Sequence, residues 1–527
     1  MQWTQSHGDV YSFLAQRMFQ LNSPVIQIFM QPMSRPWVVI SDPREIRDIK
    51  TRRYKEFDRS RFFGQVFRGI LPDFHGSMPT NDRWHAHRRL INDTMSPAFL
   101  NTKAGPQMWA TMQSLVKLWR QKARLAQGRP FIAKNDVQKG ALDIVWAATF
   151  GTETGALRVQ TDYLVNVDRI ADFPDDDVDG EVIFPNIEDP AAFTSILTLT
   201  QSMDIPVSLP LLPRQIHWAA LHVLPRLVAA RKHKDQLIQI AVTKAKQKVI
   251  MATDGGIDGD DGSKSAVELV IEKEYKAALK EGRPAEYDSS RVKDELFGFL
   301  LAGHETGSTT IEWWIKLLTK HQDVQHKLRS AIHRSFEQAL EMKRQPSIED
   351  ITTTSIPYLD AFMEEAHRLS LIAPLTVRLA TKDTTVLGHL IPAGTDVFLL
   401  HNGPGTMMKD IDVDERKRSK SSRAAKDTIP AWNEEDRAKF IPERWLSSID
   451  STGDLYFNPR AGPAIPFGAG PRACFGEKWA RLEVRIIIIL ILWNFELQKL
   501  PEQLTSWEAI DGVAHRPKHC YIRLRAL

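Results

Sequence analysis

Apolar residues recur at helical spacing over most of the chain and at strand spacing mainly near its two ends. From about residue 82 to residue 343 they return every three to four positions, as on one face of a helix. Short apolar runs at 24–29, 37–40, 396–400 and 520–524 have the composition of strands. The pattern predicts a mainly α fold with a small β part.

Two polar segments and one apolar run are exceptions to this helical pattern. The Asp- and Gly-rich segment 253–264 predicts a flexible surface loop. The segment 406–430 contains a basic run that could be a nuclear signal or a nucleic-acid patch, but its mixed charges favour a solvated insertion. The apolar run 486–492 is too short to span a bilayer and predicts a buried helix.

Composition excludes few functions. The 527 residues are 43% hydrophobic, which is enough for a large core, and the net charge is only +4, so nothing global indicates nucleic-acid binding. The two cysteines, Cys474 and Cys520, exclude a disulfide framework and an all-cysteine zinc site. The N-terminal region shows no apolar run of spanning length and no signal-peptide pattern, so no anchor is expected there.

Cys474 lies in a glycine-rich loop that leads into a predicted helix. A lone cysteine is most often a small buried hydrophobe. Here, however, a helix N-terminus and a neighbouring arginine favour the thiolate, which is the form that binds metal. The loop resembles the heme-binding signature of cytochromes P450, Phe-x-x-Gly-x-Arg-x-Cys-x-Gly. Its fixed positions are filled by Phe467, Gly470, Arg472, Cys474 and Gly476.

A second motif lies on a helix predicted over about 294–320, where polar and small residues interrupt an apolar pattern. Such residues can indicate a close helix crossing with hydroxyls bonded to backbone carbonyls, or a local opening of the helix. The stretch resembles the oxygen-activation motif of the same family, filled here by Ala302, Gly303, Glu305 and Thr306. That resemblance implies proton delivery by Thr306 and Glu305. Gly307 departs from it, since many members carry a second hydroxyl there.

Three further residues resemble the family's buried ion-pair network. Glu365 and Arg368 are three positions apart on one predicted helical face, a spacing that alone is common on solvated surfaces. Downstream, the segment 440–445 resembles the part of the family that supplies the last arginine, here Arg444. The network is expected to stabilise the fold rather than perform chemistry. Trp445 replaces the commoner phenylalanine.

Candidate partners for heme carboxylates come from elsewhere in the chain. Trp84 and Arg88 are four apart at the head of a predicted helix, and indole and guanidinium groups donate to carboxylates. They resemble the family's early-helix pair, and Arg378 occupies another position that often contacts a propionate. His85 and His87 lie on different helix faces, so they are interpreted as helix surface rather than a metal site.

The resemblance implies a single catalytic domain over residues 1–527 with the cytochrome P450 fold. Heme b (iron protoporphyrin IX) would lie between the central long helix and the cysteine loop, with Cys474 as axial ligand favouring oxygen–oxygen cleavage. The implied reaction inserts one atom of O2 into a lipophilic small molecule, by hydroxylation or epoxidation, and the sequence resembles fungal enzymes of specialised (secondary) metabolite biosynthesis.

The chain shows no flavin or dinucleotide segment, so electrons would come from NADPH through a separate cytochrome P450 reductase. A basic docking face is expected from Arg83, Arg89, Lys478, Arg481 and Arg485. By resemblance the protein belongs on the cytosolic face of the endoplasmic reticulum membrane, held by peripheral contacts such as the apolar region 207–223, or otherwise in the cytoplasm. Two alternatives remain: a heme-thiolate isomerase or dehydratase that needs no external electrons, and a non-enzymatic heme-binding protein.

Overall fold

The structure is a computed structural model that describes residues 10–29, 36–170, 178–208, 213–255, 264–428, 430–448 and 454–527. Helices predominate in this part of the chain, as the apolar spacing predicts. The α-helices are α1 (Val10–Gln20), α2 (Pro43–Thr51), α3 (Arg61–Phe67), α4 (Asp82–Ile91), α5 (Pro97–Phe99), α6 (Gly105–Ala126), α7 (Lys134–Phe150), α8 (Ala156–Val165), α9 (Ala191–Ser202), α10 (Asp204–Ser208), α11 (Pro213–Val223), α12 (Pro225–Gly255), α13 (Ala266–Glu281), α14 (Ser290–Lys320), α15 (Gln322–Ser335), α16 (Glu337–Glu341), α17 (Ile348–Thr353), α18 (Pro357–Ser370), α19 (Lys420–Ala424) and α20 (Glu477–Asn494).

The described strands are short, and apart from Phe131–Ile132 they lie within residues 25–59 and 375–526, so in the second half of the chain they begin well before its end. They are β1 (Val25–Ile28), β2 (Trp37–Ile40), β3 (Phe57–Arg59), β4 (Phe131–Ile132), β5 (Leu375–Ala380), β6 (Thr384–Val386), β7 (His389–Ile391), β8 (Asp396–Leu400), β9 (Leu446–Ser448), β10 (Leu455–Phe457), β11 (Phe495–Leu497), β12 (Ala509–Asp511), β13 (His515–Pro517), β14 (Tyr521–Ile522) and β15 (Leu524–Ala526).

The chain divides into two compact units, and the first comprises residues 1–64, 355–477 and 507–518. Its core element is a five-stranded sheet in the order β1-β2-β8-β5-β3, in which β2 and β8 pair in parallel and the other pairs are antiparallel. Ile46 and Ile49 of α2 pack with buried sheet residues such as Val397 and Leu399. Apolar side chains of α1 pack with Phe398 and Leu400. The strand β5 of this sheet carries Arg378, the arginine that follows Pro374.

The second unit comprises residues 65–354, 478–506 and 519–527 and is mostly helical. Its long helix α14 begins at Ser290, four residues before the predicted start, because the Ser289 side chain caps it by accepting from the Val292 amide. The apolar run 486–492 forms part of α20 and is entirely buried, as predicted. Among the described residues no helix is both long and apolar enough to cross a membrane.

The predictions for the polar segments 253–264 and 406–430 have different outcomes. Residues 253–255 end α12, and 256–263 lie outside the described residues, as does 429. The segment predicted to be a solvated insertion contains a 3-10 turn at Glu415–Lys417 and the short helix α19. Arg418 differs from the expectation of solvation: it is buried and bonds both carboxylate oxygens of Asp42, the N-cap residue of α2.

Candidate functional site

The loop that carries Cys474 is shaped by residues of its own motif. Gly468 and Gly470 adopt φ values of +73° and +72°, which favour glycine. A Cβ on Gly470 would also lie 2.0 Å from the carbonyl oxygen of Lys50, so no other residue fits there. The Cys474 amide donates to the Phe467 carbonyl at 2.8 Å, and the thiol is exposed, three residues before α20 begins. The motif therefore holds an exposed sulfur in a defined loop.

Lys50, Arg59, Arg378 and Arg472 form a basic cluster in the same unit, and the Asp58 carboxylate lies 3.6 Å from Arg472. Arg59 and Arg378 are direct cross-strand partners on β3 and β5, an arrangement that is destabilising for like charges. Burial lowers the pKa of Arg378 to about 10, and burial with the neighbouring Arg378 and Arg59 lowers that of Lys50 well below its usual value. A cluster with this charge imbalance favours an anionic ligand.

Sequence analysis identified Arg378 and Arg472 but missed Lys50 and Arg59. Lys50 follows Ile49 and lies four residues after Ile46, so the helical period already placed it on the apolar face of α2. That signal could have identified it as a buried cation. No comparable signal marks Arg59, because its role depends on pairing with a strand more than 300 residues away.

In the second unit, α14 is buried along most of its length but has one exposed face. Ala302 and Thr306 are exposed and Gly303 is partly exposed, whereas Glu305 is buried. The helix is continuous, and the Thr306 hydroxyl donates to the Ala302 carbonyl at 2.6 Å. A local opening of the helix is therefore not observed. Instead, the hydroxyl bonds back to a backbone carbonyl of the helix. Ala302, Gly303 and Thr306 together form a small accessible patch in the middle of a buried helix.

The glycines of α14 are explained by close packing. A Cβ on Gly303 would lie 2.9 Å from a Val145 methyl group on α7. A Cβ on Gly307 would lie 3.1 and 3.2 Å from the two carboxylate oxygens of Glu483 on α20. Glu483 accepts a hydrogen bond from the Trp479 indole at 3.2 Å, and its complete burial raises its pKa to about 8. Glycine at position 307, where many family members carry a hydroxyl residue, thus leaves room for the buried carboxyl of Glu483. The sequence did not predict this carboxyl.

The helix α4 carries the predicted carboxylate donors. Trp84 is buried, and the Arg88 guanidinium lies 5.6 Å from the centre of its ring, so the two side chains share one face. His85 is exposed, as expected. The interpretation of His87 as helix surface is wrong: it is only 1% exposed, and its Nδ1 lies 2.7 Å from Glu295 on α14. Within the described residues no cluster of three or more potential ligands could hold a metal ion.

The predicted ion-pair network is assembled in the first unit. The buried Glu365 carboxylate accepts from Arg368 at 2.7 and 2.8 Å and from Arg444 at 3.0 Å. The Trp445 indole adds a bond at 2.9 Å, which phenylalanine could not make. Trp432, which sequence analysis missed, stacks beneath Arg368 with 4.5 Å between guanidinium carbon and ring centre. The substitution at position 445 thus gives the network an additional donor.

The candidate residues separate between the two units. The first holds Phe467, Gly470, Arg472, Cys474, Gly476, Arg378 and the network Glu365, Arg368 and Arg444. The second holds Ala302, Gly303, Glu305, Thr306, Trp84 and Arg88. The cysteine motif and the ion-pair network therefore lie in the first unit, and the oxygen-activation motif and the pair on α4 lie in the second.

Comparisons with known proteins agree with these features. The Cytochrome P450 family model matches residues 1–406 and 435–522. Cytochrome P450 monooxygenase GME11363 of Pestalotiopsis microspora is 40% identical over 100% of this chain and 91% of its own length. Cytochrome P450 monooxygenase TRI13 of Fusarium sporotrichioides is 33% identical over 99% of this chain and 90% of its own length. The crystal structure of a cytochrome P450 (CYP102L1) has a TM-score of 0.67 at 18% identity, covering 98% of this chain and 94% of that one.

The fold and these motifs define a heme-thiolate oxygenase. The chain belongs to the cytochrome P450 family and is a monooxygenase. The family model leaves residues 407–434 unmatched, which include most of the segment predicted to be an insertion.

Members of this family bind heme through a cysteine thiolate, and the residues present fit such a group. Cys474 is exposed, and a Cβ on Gly476 would meet nothing within 4 Å, so the loop leaves space for a flat ring. The basic cluster matches the negative charge of propionate groups. The exposed patch of α14 offers small side chains and a hydroxyl.

Proposed function

We propose that Cys474 binds the iron of heme b and that the protein inserts one oxygen atom from O2 into a lipophilic small molecule, by hydroxylation or epoxidation. The observation that carries this proposal is the exposed sulfur of Cys474 in a motif-shaped loop of the unit that also holds an unbalanced basic cluster. When bound, the heme supplies oxygen activation, which the electron-donating thiolate favours.

Thr306 and Glu305 are proposed to manage the protons that oxygen activation consumes. The Thr306 hydroxyl donates to the Ala302 carbonyl, and its oxygen can still accept a hydrogen bond from a water. Glu305, the adjacent residue, is a buried carboxyl that can exchange protons. Ala302 keeps the exposed face of α14 free of bulky side chains, and Gly303 lets the helix pack closely on Val145 of α7.

Heme carboxylates are proposed to bind Arg378 and Arg472 of the basic cluster, with Trp84 and Arg88 as donors on α4. The like charges of Arg59 and Arg378 on paired strands support this assignment, because an anion would relieve their repulsion. Lys50 adds a third buried cation, whose Nζ lies 2.9 Å from His401 Nε2.

Electrons are proposed to come from NADPH through a cytochrome P450 reductase. Of the predicted docking residues, Arg83, Arg89 and Lys478 are exposed, and Arg89 and Lys478 can meet an acidic partner without giving up an ion pair such as that of Arg83. Two others have roles within the protein, since Arg83 pairs with Asp73 at 2.6 Å and Arg485 donates to backbone carbonyls of the 351–354 turn. The docking proposal therefore rests mainly on Arg89 and Lys478.

A lipophilic substrate of specialised metabolism and a peripheral membrane contact are also proposed. The fungal relatives support the first. The second is supported by apolar side chains on and beside α11, where Trp218 is 57% and Val223 72% exposed. Such a contact would place the protein at the cytosolic face of the endoplasmic reticulum membrane.

The test is the difference spectrum of the reduced, carbon-monoxide-bound protein, because its band position reports thiolate ligation. We expect the thiolate-type band in wild type and in Cys520→Ala, and its loss in Cys474→Ala. Cys520 is a matched control because burial raises the pKa of its thiol far above the usual value, so it is a poor ligand. A folded wild-type protein without heme, or with the band retained in Cys474→Ala, would refute the assignment. Product formation without a reductase would favour the isomerase or dehydratase alternative.

A further inference from the structure

A buried carboxylate near the start of α14 binds two histidines from other parts of the second unit. Glu295 is completely buried and accepts from the His75 amide at 2.8 Å. Its two oxygens lie 2.6 Å from His75 Nδ1 and 2.7 Å from His87 Nδ1. An ionised carboxylate only accepts, so both rings must donate from Nδ1. We name Glu295, His75 and His87 the carboxylate clamp.

Further contacts tie the segment 73–77 to α14. The Asp73 amide donates to Asp294 at 2.7 Å, and the Ser290 hydroxyl donates to the Asp73 carboxylate at 2.9 Å. The ring of Phe74 packs on Gly298, where a Cβ would approach it to 2.4 Å. The segment is therefore held by backbone, charge and packing contacts at once.

His87 lies between two carboxylates of the second unit. Its Nδ1 faces Glu295 and its Nε2 lies 3.4 Å from Asp73, and a neutral imidazole could donate to only one of them. Burial opposes ionisation of Glu295, but the charge of His75 and hydrogen bonds from both histidines lower its pKa below the usual value. The other charged or titratable groups facing the clamp are Asp73, Asp294, Arg83 and Lys234, the last of which pairs with Asp235.

The clamp joins the two helices that carry proposed heme-facing residues. His87 lies on α4 between Trp84 and Arg88, which share one face of that helix. Glu295 lies on α14 seven residues, or about two turns, before Ala302. A bond between His87 and Glu295 therefore fixes how α4 is placed along α14.

We propose that Glu295, together with His75 and His87, is a positioning residue that holds Trp84 and Arg88 on α4 at a fixed place along α14 and so secures the heme. This inference rests on the proposed function for the role of Trp84 and Arg88. Glu295 itself does not contact the reacting atoms. The clamp depends on an ionised Glu295, whose two oxygens accept hydrogen bonds from both histidines.

The experiment compares wild type with Glu295→Gln, His87→Gln and the control His85→Gln. Glu295→Gln preserves side-chain shape but removes the carboxylate charge, and His87→Gln removes the imidazole while keeping an N–H donor. His85 is the exposed neighbour on the same helix. The first measurement is the rate at which heme transfers from the holoenzyme to excess apomyoglobin at neutral pH. The second is hydrogen exchange at the Asp73 and His75 amides, which the structure shows donating to carboxylates.

We expect roughly tenfold or faster heme transfer and amide exchange in both test variants at neutral pH, since a charge-assisted bond is lost. His85→Gln should match wild type in both measurements. Heme transfer equal to the control in both variants would overturn the positioning role. If Glu295→Gln does not fold, the comparison of His87→Gln with His85→Gln still decides the question. A wild-type protein that takes up no heme would refute the proposed function itself, while amide exchange would still report whether the clamp forms.

Discussion

Replacing Glu365 with glutamine tests how far the network in the first unit depends on a single carboxylate. Glu365 accepts five hydrogen bonds, two from Arg368 and one each from Arg444, the Ile441 amide and the Trp445 indole. Both Glu365 and Arg368 are fully buried. In Glu365→Gln the buried Arg368 guanidinium no longer has a negatively charged partner. The NH2 group of the new amide also faces groups that are themselves donors, so hydrogen bonds are lost.

The expected magnitude follows from this geometry. Removing one partner of a buried ion pair costs about 3–5 kcal/mol, because the remaining charge is left uncompensated away from water. Arg368 would keep its bonds to the Arg437 and Lys439 carbonyls at 2.7 and 2.8 Å, which favours the lower end of that range. Since domains are typically stable by about 5–15 kcal/mol, the loss is a large fraction of the total.

The assay is urea unfolding followed by far-ultraviolet circular dichroism, with the heme content of the purified protein measured alongside. Glu443→Gln is the matched control, because Glu443 lies on the same 3-10 turn as Arg444, is only partly buried and accepts from the Tyr358 hydroxyl at 3.1 Å. We expect that control to cost under about 1 kcal/mol, as for other partly exposed polar pairs. Equal unfolding midpoints in the two variants would refute the view that Glu365 compensates a buried charge.

Three further predictions concern the candidate site. Thr306→Ala should divert electrons from product to hydrogen peroxide, measured as peroxide released per NADPH consumed, because a proton-handling hydroxyl is lost. Arg378→Ala should speed the transfer of heme to apomyoglobin by roughly tenfold or more, because a charge-assisted bond to a propionate is removed. Glu483→Gln should change how stability depends on pH. Burial raises the pKa of Glu483 from 4.5 to about 8, so the folded state holds a proton that the unfolded state releases between these values. In urea unfolding at several pH values, wild type should lose about 1.4 kcal/mol per pH unit relative to the variant across this window.

Each of these predictions has a control and a contradicting result. Thr310→Ala removes a buried hydroxyl that donates to the Thr306 carbonyl at 2.8 Å, and equal peroxide release from both threonine variants would contradict the proton role of Thr306. Arg416→Ala removes an exposed arginine of the same unit and should leave heme transfer unchanged. A stability difference between wild type and Glu483→Gln that stays constant with pH would show that Glu483 ionises in the folded protein as it does in the unfolded chain.

The sequence alone determined the features that depend on neighbouring residues. The helical period placed most helices, and the start of α14 was off by only four residues because its serine cap lies outside the apolar pattern. The loop around Cys474 could also be predicted from its motif, and Gly468 and Gly470 adopt positive φ values that few other residues tolerate. The pairing of Glu365 with Arg368 follows from their spacing of three on one helix.

Only the tertiary structure decided which distant charges meet. The like-charged partners Arg59 and Arg378 face each other through strand pairing, and His87 meets Glu295 across 208 positions of sequence. Local periodicity cannot distinguish such residues from a solvated surface, because a buried charge needs a partner and that partner comes from another element. The chain thus specified its cysteine loop and helices through short-range rules, while burial and long-range pairing determined which polar side chains act as binding and positioning groups.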